Sequence, residues 1–231
     1  MNPPDLRPWF QTLEDIPESL VWSEFFGNTH PVEVEVGTGR GLFLVNAGTG
    51  RPDTNFLGLE LDYKEARYAA RRMKKRELPN VRIVGGDARI ALARMADRSV
   101  EAVHVYFPDP WWKRRHRRRR IFDAPFVTEA ARILDTGGQL HAWTDVQEYF
   151  GVMLETVGEN PSFSPQPTAP ERAAAHDLDY QTNFERKKRQ LGLPIYRALW
   201  TRSEWQATAP HGIIESAERK MPSDEMPVAG S

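Results

Sequence analysis

The fold is decided by one stretch of sequence, VEVEVGTGRG at residues 32–41. Its first half alternates valine with glutamate, which is the period-two pattern of a β-strand. Three glycines follow at every second position, and glycine permits a tight turn and a close approach of the backbone to a ligand. The dinucleotide pattern G-x-G-x-x-G is absent because Leu42 occupies its last position. The stretch therefore predicts a strand that ends in a ligand-binding turn of another class.

Outward from this stretch, strand patterns alternate with helix patterns. The predicted strands are 32–36, 55–61, 81–84, 100–107 and 139–144, and the predicted helices are 41–47, 62–76 with Asp62 as its cap, and 123–134. This rhythm predicts an α/β fold whose sheet is mostly parallel and carries helices on both faces. Ligands bind such sheets at the carboxyl ends of the strands, so we expect the functional residues there.

The composition limits the class of protein. The chain has 231 residues, 27% of them charged, and no cysteine, which excludes disulfides and thiolate metal sites. No apolar run approaches the roughly 20 residues needed to span a bilayer, and no signal peptide is evident, so we expect a cytoplasmic protein without membrane contact. The six histidines lack metal-site spacing, and we predict no metal. We divide the chain into an N-terminal segment (1–31), one domain (32–204) and a flexible tail (205–231).

Acidic residues stand at the ends of the first three predicted strands. Glu35 precedes the turn that contains Gly37 and Gly39, an arrangement that suits a cofactor with an amino-acid moiety and a sulfonium. Glu60 ends the second strand, where a carboxylate accepts hydrogen bonds from ribose hydroxyls. Asp87 ends the third, where it can accept from an adenine amino group or, alternatively, cap a helix. Together these acids predict an adenosine site.

The most specific segment is FPDPWWK at residues 107–113, followed by RRHRRRR at 114–120. Two prolines restrict the backbone around Asp109 and present its carboxylate beside indole rings. A guanine offers N–H donors to a carboxylate and a face for stacking. Seven of the ten residues 111–120 are lysine or arginine, a charge density that favours RNA phosphates. The alternative is a rigid turn followed by a solvated charged run.

These residues resemble the bacterial tRNA (guanine-N7-)-methyltransferase family. The similarity extends over about residues 32–200, and the FPDPW run with its basic extension is its most specific part. The resemblance implies a Rossmann-like class I methyltransferase with a seven-stranded sheet, acting as a monomer or homodimer. It also implies S-adenosylmethionine as cofactor and transfer of a methyl group to N7 of a variable-loop guanosine in tRNA.

The resemblance further implies roles for individual residues. Asp109 matches the catalytic position, and the cofactor-binding positions are Glu35, Gly37, Gly39, Glu60, Asp87 and Asp109. The substrate-binding positions are Lys113, Arg115, His116, Arg117, Arg118, Arg119, Arg120, Asp145, Thr182, Asn183, Phe184 and Glu185. Two alternatives stay open: a small-molecule methyltransferase, which has no use for the arginine run, and a non-catalytic RNA-binding protein on a methyltransferase fold.

Two further polar residues lie within the fourth predicted strand. His104 is interpreted as a hydrogen-bonded core residue rather than a ligand, since it sits inside an apolar strand. Tyr106 lines the pocket or fills the core, and the core is the favoured interpretation.

Overall fold

The alternating valines of the opening stretch form the centre of the sheet. A computed structural model describes residues 5–111, 115, 120–168 and 180–204. In it Val32, Val34 and Val36 are buried on one face of the second strand, and burial of each contributes about 1.5–3 kcal/mol. Within the described residues the strands are β1 Phe10–Thr12, β2 Val32–Val36, β3 Asn55–Glu60, β4 Val81–Gly85, β5 Val100–Tyr106, β6 Leu134–Thr144, β7 Phe163–Gln166 and β8 Tyr196–Arg202.

The helices of the described residues lie between these strands. They are α1 Trp22–Phe26, α2 Leu42–Gly50, α3 Tyr63–Lys75, α4 Ala88–Ala93, α5 Ala124–Ile133, α6 Gln147–Gly158 and α7 Asn183–Gln190. Asp62 caps α3 as predicted, because its Oδ1 accepts from the backbone N–H of Lys64 at 2.8 Å. The buried side chains form two clusters, one with α2 and α3 and one with α4, α5 and α6, which confirms helices on both faces of the sheet.

The strands form one sheet in the order β1-β4-β3-β2-β5-β6-β8-β7. The first six strands in chain order run parallel to one another, whereas β8 is antiparallel to both β6 and β7. The chain moves from β2 to β3 and β4 on one side, and later from β5 to β6 on the other. Such sheets bind ligands in a crevice at the point where the strand order switches, which is here between the carboxyl ends of β2 and β5.

The predicted strand number is corrected by one. The described chain forms eight strands rather than seven, and the additional one is β1, which pairs in parallel with β4 at the edge of the sheet. Residues 5–31 also contribute Leu6, Ile16 and Leu20 to the buried core. Among the described residues, no helix has both the length and the apolar character needed to cross a bilayer. Residues 205–231, predicted to be a flexible tail, lie outside the described part.

Candidate active site

The glycine turn lies directly after the central strand. Gly37, Gly39 and Gly41 all have positive φ angles, of 84°, 52° and 68°. At Gly41 any other residue is disfavoured, because a Cβ there would lie 2.9 Å from the Ala69 Cβ and 2.8 Å from the Met73 Cε. The N–H of Gly37 donates to the Leu59 carbonyl at 2.9 Å, which holds the turn against the end of β3. The predicted ligand-binding turn therefore forms at the carboxyl edge of the sheet.

Glu60 joins this turn to the neighbouring strand end. Its Oε2 accepts from the Gly39 N–H at 2.6 Å and its Oε1 accepts from the Asp62 N–H at 2.9 Å. One carboxylate has about four lone-pair positions, so two hydrogen bonds leave capacity for a ligand. Glu60 thus lies beside the turn, as its predicted contact with a ribose requires.

Glu35 is a buried acid without a hydrogen-bond partner at one oxygen. The residue is 3% exposed, and within the described residues neither its Oε2 nor the nearby Thr38 hydroxyl makes a hydrogen bond. Burial, strengthened by the charge of Glu60, raises the pKa of Glu35 well above 4.5, and the neighbouring Thr38 only partly opposes this. An unpartnered buried carboxyl is costly unless a donor reaches it, so the site fits a ligand that carries N–H or O–H groups.

Asp87 has the second of its two predicted roles. It is the N-cap of α4, and its Oδ1 accepts from the Arg89 N–H at 2.9 Å. The capping alternative is therefore confirmed for one oxygen. The residue is exposed at the end of β4. A contact between its other oxygen and a ligand stays a prediction.

The loop after β5 has an unusual backbone on both sides of its aspartate. Phe107 and Trp111 have positive φ angles of 53° and 40°, a conformation that costs free energy in residues other than glycine. Asp109 is exposed between them. The Nε–H of Arg120 donates to the carbonyl of Pro110 at 2.7 Å and so fixes the loop from outside.

The predicted RNA-contacting run is only partly described. Lys113, His116, Arg117, Arg118 and Arg119 lie outside the described residues. Arg115 is exposed. Arg120 is placed differently, because its guanidinium lies 5.2 Å from the centroid of the Tyr149 ring while it holds the Pro110 carbonyl. These contacts give Arg120 a structural task that the sequence pattern did not reveal.

Helix α7 places the last predicted substrate residues over this loop. Thr182 caps the helix by accepting from the Glu185 N–H at 3.0 Å, and Asn183 is its first residue. Glu185 is buried and accepts from Arg197 at 3.2 Å. Phe184 is 59% exposed, and its ring stacks on the ring of Phe107 at 5.9 Å between centroids. The stacking brings this motif and the loop after β5 together.

Asp145 is held by the same helix. The Nζ of Lys188, on α7, lies 2.6 Å from the Asp145 Oδ2, and both side chains are about a quarter exposed. Asp145 follows β6, whose partner β5 carries the Asp109 loop. Thr182 and Glu185 thus build and anchor α7, whereas Phe184 is exposed and the Asp145 carboxylate is paired with Lys188.

Sequence reasoning missed a buried polar network below the glycine turn. Glu33 binds the Arg51 guanidinium through both oxygens and also contacts the His104 ring. The interpretation of His104 as a hydrogen-bonded core residue is confirmed. Tyr106 is 8% exposed and hydrogen-bonded to His104, so it belongs to the core as favoured. The signal that could have found the network is the position of Glu33 two residues before Glu35, on the same strand face.

Comparisons with known proteins agree with this geometry. A family model described as "Putative methyltransferase" matches residues 29–198. A tRNA (guanine-N(7)-)-methyltransferase of Rhodopirellula baltica is 42% identical over 206 residues, covering 85% of this chain and 75% of the relative. A protein of the same name from Streptococcus mutans is 30% identical over 176 residues, covering 76% of this chain and 83% of the relative.

Solved structures with lower identity share the fold. The aminoglycoside resistance methyltransferase NpmB1 matches with a TM-score of 0.53 at 15% identity, over 78% of this chain and 91% of that protein. An rRNA methylase from Streptococcus thermophilus matches with a TM-score of 0.51 at 10% identity, over 76% of this chain and 88% of that one. The predicted methyltransferase fold is confirmed, and by its sequence the chain belongs to the tRNA (guanine-N7-)-methyltransferase family.

Proposed function

We propose that this protein transfers a methyl group from S-adenosylmethionine to N7 of a guanosine in tRNA, and that this guanosine lies in the variable loop. The observation that carries the proposal is the switch in strand order between β2 and β5. This point has the glycine turn and the unpartnered Glu35 on one side and the Asp109 loop on the other. The relatives named tRNA (guanine-N(7)-)-methyltransferase support the choice of substrate.

The reaction requires the protein to position the two reactants rather than to remove a proton. The cofactor supplies an electrophilic methyl group on a sulfonium. Guanine N7 already carries an in-plane lone pair, so no base is needed to expose the nucleophile. Orienting two reactants in this way contributes on the order of 7–11 kcal/mol when their geometry is near attack. We assign Asp109 as the catalytic residue, because its carboxylate can orient the guanine and offset the positive charge that develops on it.

The cofactor is assigned to the turn and the three strand ends. Glu35 supplies an unpartnered oxygen, Glu60 supplies the lone pairs that the backbone leaves free, and Asp87 supplies the oxygen that does not cap α4. Gly37 and Gly39 let the backbone approach the ligand. Asp109 is the last of the assigned cofactor-binding residues and lies between the cofactor and the guanine base.

The RNA is assigned to the basic run and to α7. Arg115 and the undescribed Lys113, His116 and 117–119 contact phosphates or the base, whereas Arg120 shapes the Asp109 loop. Phe184 presents an exposed ring beside that loop, and Asp145, whose carboxylate is paired with Lys188, lies at the next strand end. In this proposal Thr182 and Glu185 serve the substrate site by holding α7 in place, and Asn183, the first residue of α7, is assigned to the substrate.

Methyl transfer from radiolabelled S-adenosylmethionine to unmodified tRNA, followed by nuclease digestion, tests the proposal. We expect the label in 7-methylguanosine from the variable loop. Label in another nucleoside refutes the assigned target, and absence of label with the cofactor bound refutes the reaction. The small-molecule and non-catalytic alternatives are not favoured by the relatives. The cytoplasmic location and the monomeric or homodimeric state stay predictions.

A further inference from the structure

Four polar side chains form a ladder on one buried face of the sheet. Glu33 and Glu35 are two residues apart on β2, and His104 and Tyr106 are two residues apart on β5, so each pair shares a face. Glu33 is paired in register with Ala102 and its carboxylate reaches His104, two residues further along β5. Glu35 is paired with His104, so the same diagonal step leads from Glu35 to Tyr106.

The lower part of the ladder is fully hydrogen-bonded. Arg51 donates to both oxygens of Glu33, one of these bonds measuring 2.9 Å. The His104 Nε2 lies 2.9 Å from the Glu33 Oε2, and its Nδ1 lies 2.9 Å from the Tyr106 hydroxyl. Phe43 of α2 packs on the His104 ring at 4.6 Å between centroids and closes the network from above.

These contacts determine where each proton lies. Burial raises the pKa of Glu33, but hydrogen bonds from His104 and Arg51, together with the charge of Arg51, outweigh it and bring the pKa to about 2, so Glu33 is ionised. Burial lowers the pKa of His104 despite the opposing effect of Glu33, so the ring is neutral. A neutral ring that faces a carboxylate carries its proton on the facing nitrogen, here Nε2. Nδ1 must therefore accept, and the Tyr106 hydroxyl donates to it.

The Tyr106 oxygen consequently has no proton to offer to anything else. It can only accept, and it stands one diagonal step from Glu35, whose Oε2 has no partner among the described residues. Glu35 is also the charge that most strongly raises the pKa of Tyr106, after burial itself. When Glu35 is ionised, the two neighbouring buried groups are both acceptors, and such a pair fits a small cation that carries several N–H groups.

We propose that Tyr106 is a cofactor-binding residue whose oxygen, together with Glu35, accepts from the α-ammonium at the amino-acid end of the cofactor. His104, Glu33 and Arg51 act as positioning residues, because they hold the Tyr106 proton away from that ligand. An ammonium placed here also favours the ionised form of Glu35. This inference rests on the proposed function for the identity of the cofactor and adds a residue to its site.

The test compares two probe molecules with one variant. S-adenosylhomocysteine carries the ammonium, whereas 5′-methylthioadenosine has the same adenosine and a thioether but lacks the amino-acid end. Tyr106→Phe removes only the hydroxyl oxygen, and the loss of one hydrogen bond to a charged group corresponds to roughly tenfold weaker binding or more. We expect that loss for S-adenosylhomocysteine and nearly unchanged binding of 5′-methylthioadenosine, both measured by calorimetry.

The matched control is Tyr196→Phe, which removes a hydroxyl from a half-buried tyrosine of β8 whose ring stacks on Phe150. It should weaken neither probe. Equal losses for both probes in Tyr106→Phe would show that Tyr106 acts through the fold, and unchanged binding of both would show that it only fills the core. Either result overturns the inference.

A second measurement reads the positioning residues directly. The ring-nitrogen chemical shifts of His104 should show the Nε2–H form, whereas the Nδ1–H form would turn Tyr106 into a donor and overturn the inference. Failure of the proposed function is a separate outcome: a wild-type protein that binds neither probe lacks the assigned cofactor. A different outcome contradicts the Tyr106 assignment alone: the wild-type protein binds both probes and methylates tRNA, but Tyr106→Phe leaves the ratio of the two probe affinities unchanged.

Discussion

Two glutamates on β2 should respond to the same substitution in different ways. Glu33 is ionised because His104 and Arg51 outweigh its burial and bring its pKa to about 2. Glu35 lacks such partners, and burial together with the charge of Glu60 raises its pKa well above 4.5. Substitution of Glu33 by glutamine removes a negative charge that the folded protein stabilises, whereas the same substitution of Glu35 removes a negative charge that the folded protein destabilises.

The magnitudes follow from the linkage between pKa and stability. For Glu33, lowering the pKa from 4.5 to about 2 corresponds to about 3 kcal/mol, since one pKa unit is about 1.4 kcal/mol. This stability is present above the unfolded-state pKa and is lost as the pH falls through about 2. For Glu35 the folded-state pKa is the higher one. Its contribution is present below the unfolded-state pKa and is lost as the pH rises, at up to about 1.4 kcal/mol per pH unit.

Urea unfolding followed by tryptophan fluorescence, without ligand, measures both effects between pH 5 and 8. We expect Glu33→Gln to be less stable than wild type by about 3 kcal/mol at every pH in this range. In Glu35→Gln the buried amide lowers the free energy of unfolding by an amount that does not vary with pH. The stability of this variant relative to wild type should nevertheless rise with pH until the folded-state pKa of Glu35 is passed. A pH-independent difference for Glu35→Gln would refute the argument from burial.

Three further predictions concern the crevice. Asp109→Asn keeps the side-chain shape but removes the charge, so single-turnover methylation should fall by roughly a hundredfold while calorimetry shows S-adenosylhomocysteine binding largely kept; equal loss of both would remove its catalytic assignment. Arg120→Gln releases the Pro110 carbonyl and should slow methylation of intact tRNA and of a short RNA hairpin alike. Its matched control, Arg115→Gln, should instead weaken tRNA binding and lower the salt slope by about 1, and an unchanged slope would place Arg115 outside the RNA interface. Gly41→Ala places a Cβ 2.8 Å from a side-chain carbon of α3 at a φ of +68°, and thermal unfolding should show a loss of about 1–3 kcal/mol; an unchanged Tm would mean that the turn relaxes freely.

The central strands could be predicted because their signals are local. The predicted strand at residues 32–36 coincides with β2, and Asp62 caps α3 as its position before a helical pattern indicates. Strand β1 has no such signal, since three residues cannot show a period. It forms because the edge of β4 offers unpaired backbone groups, which is a property of the folded sheet.

The candidate site was predictable as a set of strand ends but not in its individual contacts. The cap that Asp87 forms was one of its two predicted roles, whereas only the folded chain shows Arg120 bonded to Pro110. The link between Glu33 and His104 joins residues 71 positions apart and depends on the register between β2 and β5. No local pattern contains that register.

The place of β8 in the sheet has a consequence for protein synthesis. This strand follows every other described strand in the chain, yet it lies between β6 and β7 and pairs with both. The parallel strands from β1 to β6 can assemble while the ribosome is still elongating the chain, whereas β7 has no place in the sheet until β8 has emerged. Helix α7, which precedes β8, is anchored through Glu185 to Arg197 of that strand. A nascent chain that stops before residue 196 should therefore lack the contact from Arg197 that holds Glu185 of α7.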